Sequence, residues 1–191
     1  MSGGTRRQQF QTRVSGVFQP IARAISKLLA AALLWPIAAA ALIPADDELG
    51  NWFNDPFMQV RQGFPGCPVP LGPRLTKAEM RTQEHSRAER GTRCWLAGEC
   101  KKPNSYLYDA DIAQDLANRF AKSRAFAGSA LWITVQRRFV FIEGCVKRAN
   151  QAHALEVMAK RVPDVELVIV NVTADPGSKP PYPALEASRP R

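Results

Sequence analysis

The 191 residues carry 46% apolar and 23% charged side chains, which excludes a wholly disordered chain and fits one domain with appendages. The formal net charge is +9, but five of the basic residues (Arg6, Arg7, Arg13, Arg23, Lys27) precede residue 46, a stretch without an acidic residue. Removing those five from the 26 leaves 21 basic against 17 acidic residues, so the excess over the rest is +4 and nucleic acid is not an expected partner.

Leu28–Ala45 reads LLAAALLWPIAAAALIPA, eighteen residues without a charge. As a helix it reaches roughly 27 Å, close to the ~30 Å hydrocarbon core, with Pro36 as a kink. Asp46, Asp47 and Glu48 follow directly. Basic residues before and acidic residues after predict an exported chain with its N-terminus inside. The segment serves either as a cleaved signal peptide, with small residues such as Ala39-Ala40-Ala41 near the cut, or as an uncleaved transmembrane signal anchor. Arg6-Arg7 lies far from the apolar run for a twin-arginine signal, and no cysteine sits just after the run to carry a lipid.

Residues 46–107 read as a loop-rich region, with glycine and proline concentrated between Pro56 and Pro73. Thr76-Lys77-Ala78-Glu79 is a capping box, and a polar helix near 77–90 ends at Gly91. All four cysteines (Cys67, Cys94, Cys100, Cys145) follow the apolar run, as an oxidising compartment favours. Three pairings are possible. Cys94 and Cys100 bracket WLAGE, where Gly98 lets the chain turn back, so a local Cys94–Cys100 bridge is the first expectation and Cys67–Cys145 the remaining pair. The C-x5-C spacing and the scattered His85 and His153 argue against zinc.

Residues 108–174 show a regular alternation of periods. Asp109 or Asp111 caps a helix with Ile112, Leu116 and Phe120 on one face. Leu131, Ile133 and Val135 alternate, as do Val140, Ile142, Gly144 and Val146, and only Arg137-Arg138 separates the runs, which makes a hairpin. A second helix near 150–162 aligns Ala152, Leu155, Ala159 and Val162, and stops before Pro163. Val165–Thr173 is a last strand. The fold class is therefore α+β: a small two-layer sandwich in the order helix-strand-strand-helix-strand, with a three-stranded mixed sheet, preceded by an apolar helix and the loop-rich region. Residues 175–191 read as a disordered Pro-rich tail.

Leu131-x-Ile133-x-Val135, Val140-x-Ile142-x-Gly144-x-Val146, the helix with Ala152 and Ala159, and Val162-Pro163-Asp164-Val165-x-x-Val168 together resemble the BON domain family of bacterial envelope modules. The resemblance covers roughly 65 residues in a single copy. Its most recognisable position is the glycine after the second strand, Gly144. The chain departs from the family in having Arg137-Arg138 in the hairpin and Asp164 before the first valine of the final strand, where members often carry glycine. The resemblance implies a non-catalytic periplasmic or outer-membrane role in phospholipid binding, envelope integrity and osmotic stress. It also implies, as an alternative, a scaffold subunit of an envelope-spanning secretion or transport assembly.

Two groups of residues are the candidate binding surface. Trp132, Phe139, Phe141 and Cys145 share the sheet face opposite the helices, and an aromatic face of that kind marks either an interface or a surface covered by another part of the chain. Arg137, Arg138, Lys147 and Arg148 are expected to cluster at one end of the sheet, where anionic headgroups would attract them. The expected partner is thus a phospholipid surface or an envelope protein. No phosphate loop, HExxH, GxSxG or paired carboxylates stand out, and no cofactor or metal is expected. A Cys145–His153 nucleophile and base would have to reach across the sheet.

Overall fold

The computed structural model describes residues 48–89 and 92–185. The elements are β1 (Phe57–Gln62), α1 (Lys77–Glu89), the short α2 (Thr92–Leu96), a 3-10 turn (Ser105–Tyr108), α3 (Asp109–Lys122), β2 (Ala130–Gln136), β3 (Phe139–Cys145), α4 (Gln151–Lys160) and β4 (Leu167–Thr173). The apolar segment 28–45 and its export role lie outside the described residues. Among the described residues no helix is long and apolar enough to cross a membrane, so the expected transmembrane helix is not part of this fold.

The sheet has four strands, not the three expected, in the order β1-β2-β3-β4. β1 and β3 each pair antiparallel with β2, whereas β4 runs parallel to β3. The additional strand comes from the stretch that reads as loop. Phe57, Met58 and Val60 give only a short apolar pattern, and a register shift between Gln59 and Arg61 interrupts it, as befits an edge strand.

The helical face of the sheet holds the core. Ile112, Leu116 and Phe120 from α3 and Leu155 and Ala159 from α4 pack on Leu131, Ile133, Val135, Val140 and Ile142, all essentially inaccessible. Each large side chain buried this way contributes roughly 1.5–3 kcal/mol. The face assignments made from strand alternation therefore hold residue by residue.

The opposite face is also covered. Residues 64–73 cross it, and so do residues 182–185. The Leu71 N–H donates to the Pro183 carbonyl and the Leu185 N–H to the Val69 carbonyl, both at 2.8 Å. Tyr182 is 5% exposed and donates its hydroxyl to the Pro68 carbonyl. Where a disordered tail is expected from residue 175, a strap thus lies packed as far as Leu185. Its prolines explain this: Pro180, Pro181 and Pro183 have fixed φ angles and little freedom to lose on ordering.

The hairpin turn has an unusual support. Arg137 and Arg138 have φ angles of 54° and 70°, the left-handed pair of a two-residue turn that glycine or asparagine normally supplies. The Asp109 carboxylate accepts both of their backbone N–H groups, at 2.7 Å each. Asp109 is therefore not the expected cap of α3. It opens the helix and clamps the turn beside it. Burial pushes its carboxyl above the usual carboxylate range, against the two N–H groups that favour the charge. Asp109→Ala leaves two left-handed N–H groups without acceptors. A loss of about 3 kcal/mol is expected in urea unfolding.

α1 follows its capping box: Glu79 accepts from the Thr76 N–H at 2.8 Å and hydroxyl at 2.9 Å, and these bonds hold its carboxyl below the usual range. One of its residues is not solvent-facing. Arg87 is buried, makes a two-pronged ion pair with Asp55 at 2.8 Å and lies 3.8 Å from the Phe53 ring centre. This pair attaches α1 to the start of β1.

Candidate membrane-docking surface

The aromatic face is not open. Trp132 is 7% exposed and Cys145 is fully buried, while Phe139 and Phe141 are half-buried. Cys145 is bonded to Cys67 of the covering run, with Cα atoms 5.8 Å apart. Cys94 is bonded to Cys100 with Cα atoms 5.3 Å apart. Of the two alternatives for this face, covering by the chain itself is what the structure shows. Cys145 has no thiol to act with His153, which is exposed on α4 beside Glu156.

The four basic residues do not form one cluster. Arg137 and Arg138 precede β3, and Lys147 and Arg148 follow it, with seven strand residues between them. At about 3.3 Å per residue the two pairs sit roughly 20 Å apart, at opposite ends of the sheet. Arg138 is also engaged: its Nε donates to the Asp164 carbonyl at 2.7 Å and its guanidinium lies 5.0 Å from the Tyr108 ring centre.

Lys147 and Arg148 have different neighbours. Because β2 and β3 pair antiparallel from Ala130↔Cys145, the loop entering β2 and the loop leaving β3 lie side by side. The first loop and the end of α3 bring exposed Lys122 and Arg124. Residues 122–129 and 146–150 contain these four cations and no acidic residue. None of the four side chains forms an ion pair among the described residues.

Buried Gln151 fixes the two loops to each other. Its Oε1 accepts the Arg148 N–H at 3.0 Å and its Nε2 donates to the Ala125 carbonyl at 2.9 Å. The Lys147 side chain lies against Gly128, where a Cβ would meet its Nζ at 2.6 Å. Arg61, from the end of β1, donates to the carbonyls of Phe120 and Ser123 and so neutralises the negative end of α3. The α4 N-terminus at Gln151 adds its partial positive charge to the same end. The arrangement places four exposed cations on two neighbouring loops that Gln151 joins.

Among the described residues no group of histidine, cysteine, aspartate or glutamate could hold a metal ion. Lys122 and Arg124 were not among the sequence-level candidates. The signal for them was present: once the hairpin is read, residues before its first strand and after its second must be neighbours.

Residues 108–176 match the BON domain family. The chain carries a BON domain. No curated protein and no solved structure matches it. The matched span takes in α3, β2, β3, α4 and β4, whereas β1, α1 and the end of the strap lie outside it. BON domains are non-catalytic modules that generally associate with membrane and phospholipid surfaces, typically in the periplasm. Gly144, in β3, has a φ of +134°. A Cβ there would overlap the Ala130 carbonyl oxygen and come within 3.1 Å of the Leu131 Cα, so this BON domain closes its hairpin on a bare backbone.

Proposed function

We propose that this protein is a bacterial envelope component whose BON domain docks on anionic phospholipid through Lys122, Arg124, Lys147 and Arg148, supporting envelope integrity. The observation that carries the reading is the unpaired cationic end of the sheet within the matched BON span. Each lysine or arginine near an anionic surface contributes roughly 1 kcal/mol, and salt screens such contacts over about 10 Å. The buried aromatic face takes no part, and Arg137 and Arg138 serve the turn.

The test is flotation of the full-length protein with anionic and zwitterionic vesicles at low and high salt. Selective flotation with anionic vesicles, lost in high salt, is expected. Neutralising two of the four cations as Lys147→Ala/Arg148→Ala is expected to weaken that component about thirtyfold, while Lys160→Ala at the far end of α4 leaves it unchanged. Equal flotation of all three proteins would remove the cationic end from the account.

The scaffold reading draws on a separate feature. The Cys94–Cys100 ring presents Trp95 and Leu96 at 44% and 79% exposure. Substitutions there would disturb a protein complex and leave anionic flotation intact.

A further inference from the structure

The covered face of the sheet contains a cleft of about 180 Å3, lined by Gly72, Thr134, Gln136, Phe141, Glu143 and Pro183. It opens between the 64–73 run and the strap. Its polar floor is not satisfied by the protein. Glu143 is 9% exposed and Thr134 is 4% exposed, and neither side chain has a hydrogen-bond partner among the described residues.

Among the described residues the surroundings supply no counter-charge to Glu143. β2 contributes Trp132, its register partner, with Thr134 and Gln136; β3 contributes Phe141; β4 contributes Asn171, its other register partner. The Gln136 amide is already committed to Asp55, at 2.9 Å. The strap contributes Tyr182, a titratable neighbour whose hydroxyl is donated to the Pro68 carbonyl. From the 64–73 run comes Gly72, with Arg74 two residues on. Arg74 is turned to the Leu71 carbonyl at 2.8 Å and to the Phe57 ring at 5.5 Å. A carboxyl without a donor or cation among the described residues, at the bottom of an open cleft, is free to pair with a ligand.

We infer that this cleft is a binding site for a primary ammonium group, which would supply the missing charge to Glu143 and a hydrogen bond to the Thr134 hydroxyl, with Phe141 as its apolar wall. A three-donor ammonium on a short carbon stem matches two adjacent oxygen acceptors and an aromatic side. Such a group comes either from a small soluble amine or from an ethanolamine headgroup. Desolvation pushes Glu143 up to about 7, and its nearness helps push Tyr182 up to about 12. The carboxyl is therefore half-neutral at neutral pH when the cleft is empty. A bound ammonium favours the ionised form, so binding releases a proton and strengthens as pH rises through 7.

The probe is ethylammonium chloride, titrated into the full-length protein and followed by amide NMR shifts. Saturable shifts at Thr134, Phe141 and Glu143 are expected at about pH 8, with affinity about thirtyfold weaker near pH 5.5, where little Glu143 is ionised. Glu143→Gln, which removes a buried acid and preserves shape, is expected to abolish saturation at both pH values. Preferential flotation with phosphatidylethanolamine over phosphatidylcholine vesicles, competed by ethylammonium, would assign the headgroup as the source. Equal flotation alongside intact ethylammonium binding would assign a soluble amine. Absence of saturable shifts at high pH, or binding that Glu143→Gln leaves unchanged, would overturn the inference. Lys147→Ala/Arg148→Ala separates this site from the cationic end, since it should leave ethylammonium binding as it is.

Discussion

Gly144→Ala is expected to cost about 4 kcal/mol or more, enough to unfold most of a marginally stable domain. Two costs act together. The φ of +134° lies where L side chains are strained, and the added Cβ would overlap the Ala130 carbonyl, which is backbone of the paired strand and has no rotamer to escape into. Relief requires β2 and β3 to separate at Leu131↔Gly144, beside the Ala130↔Cys145 pair that also sets the cationic loops side by side. Circular dichroism and urea unfolding of the variant check this. A stability loss below about 1 kcal/mol would mean that the hairpin accepts a side chain by shifting.

Reduction of Cys67–Cys145, or replacement of both residues by serine, is expected to cost about 4 kcal/mol. The bridge closes a span of 78 residues, and the chain-entropy model assigns a loop of that length about that much. Cys94–Cys100 closes a span of 6 and is expected to cost about half as much, confined to its own loop. The consequence is local as well as global, because Cys67 anchors the run that holds Tyr182 through the Pro68 carbonyl. Loss of the bridge should loosen the strap and raise exposure of Trp132, seen as a red shift of tryptophan fluorescence before global unfolding. The protein should accordingly be less stable in reducing buffer. An unchanged unfolding midpoint on reduction would contradict the assignment.

Periodicity located α3, β2, β3, α4 and β4, because each buries one face and its apolar spacing reports that face directly. β1 was not legible: its bulge breaks the alternation, and an edge strand needs fewer apolar residues. The strap was hidden for a different reason. Its order depends on Leu71, Val69 and Pro68, over a hundred residues away in sequence, while its own composition is that of a linker. Arg87 resembles any helix-surface arginine until Asp55 and Phe53 are placed against it. Asp109 illustrates the most instructive difference. Aspartate at a helix start signals a cap, yet here the same carboxylate solves the problem created by two arginines in a left-handed turn. The candidate surface suffered most. Arg137-Arg138 and Lys147-Arg148 look like one cluster in sequence, but a strand lies between them, and strands separate what they connect. Glu143 gave no signal at all, since only the covering segments make its position a cleft.

In the proposed docking mode the end of the BON domain bearing Lys122, Arg124, Lys147 and Arg148 meets the membrane. Amide NMR of the full-length protein with anionic bicelles carrying a spin-labelled lipid tests it most directly. Signal loss is expected to concentrate in residues 122–129 and 146–150 and to disappear in high salt, with the Arg137-Arg138 turn unaffected. Signal loss centred on the turn, or spread evenly over both ends of the sheet, would contradict it.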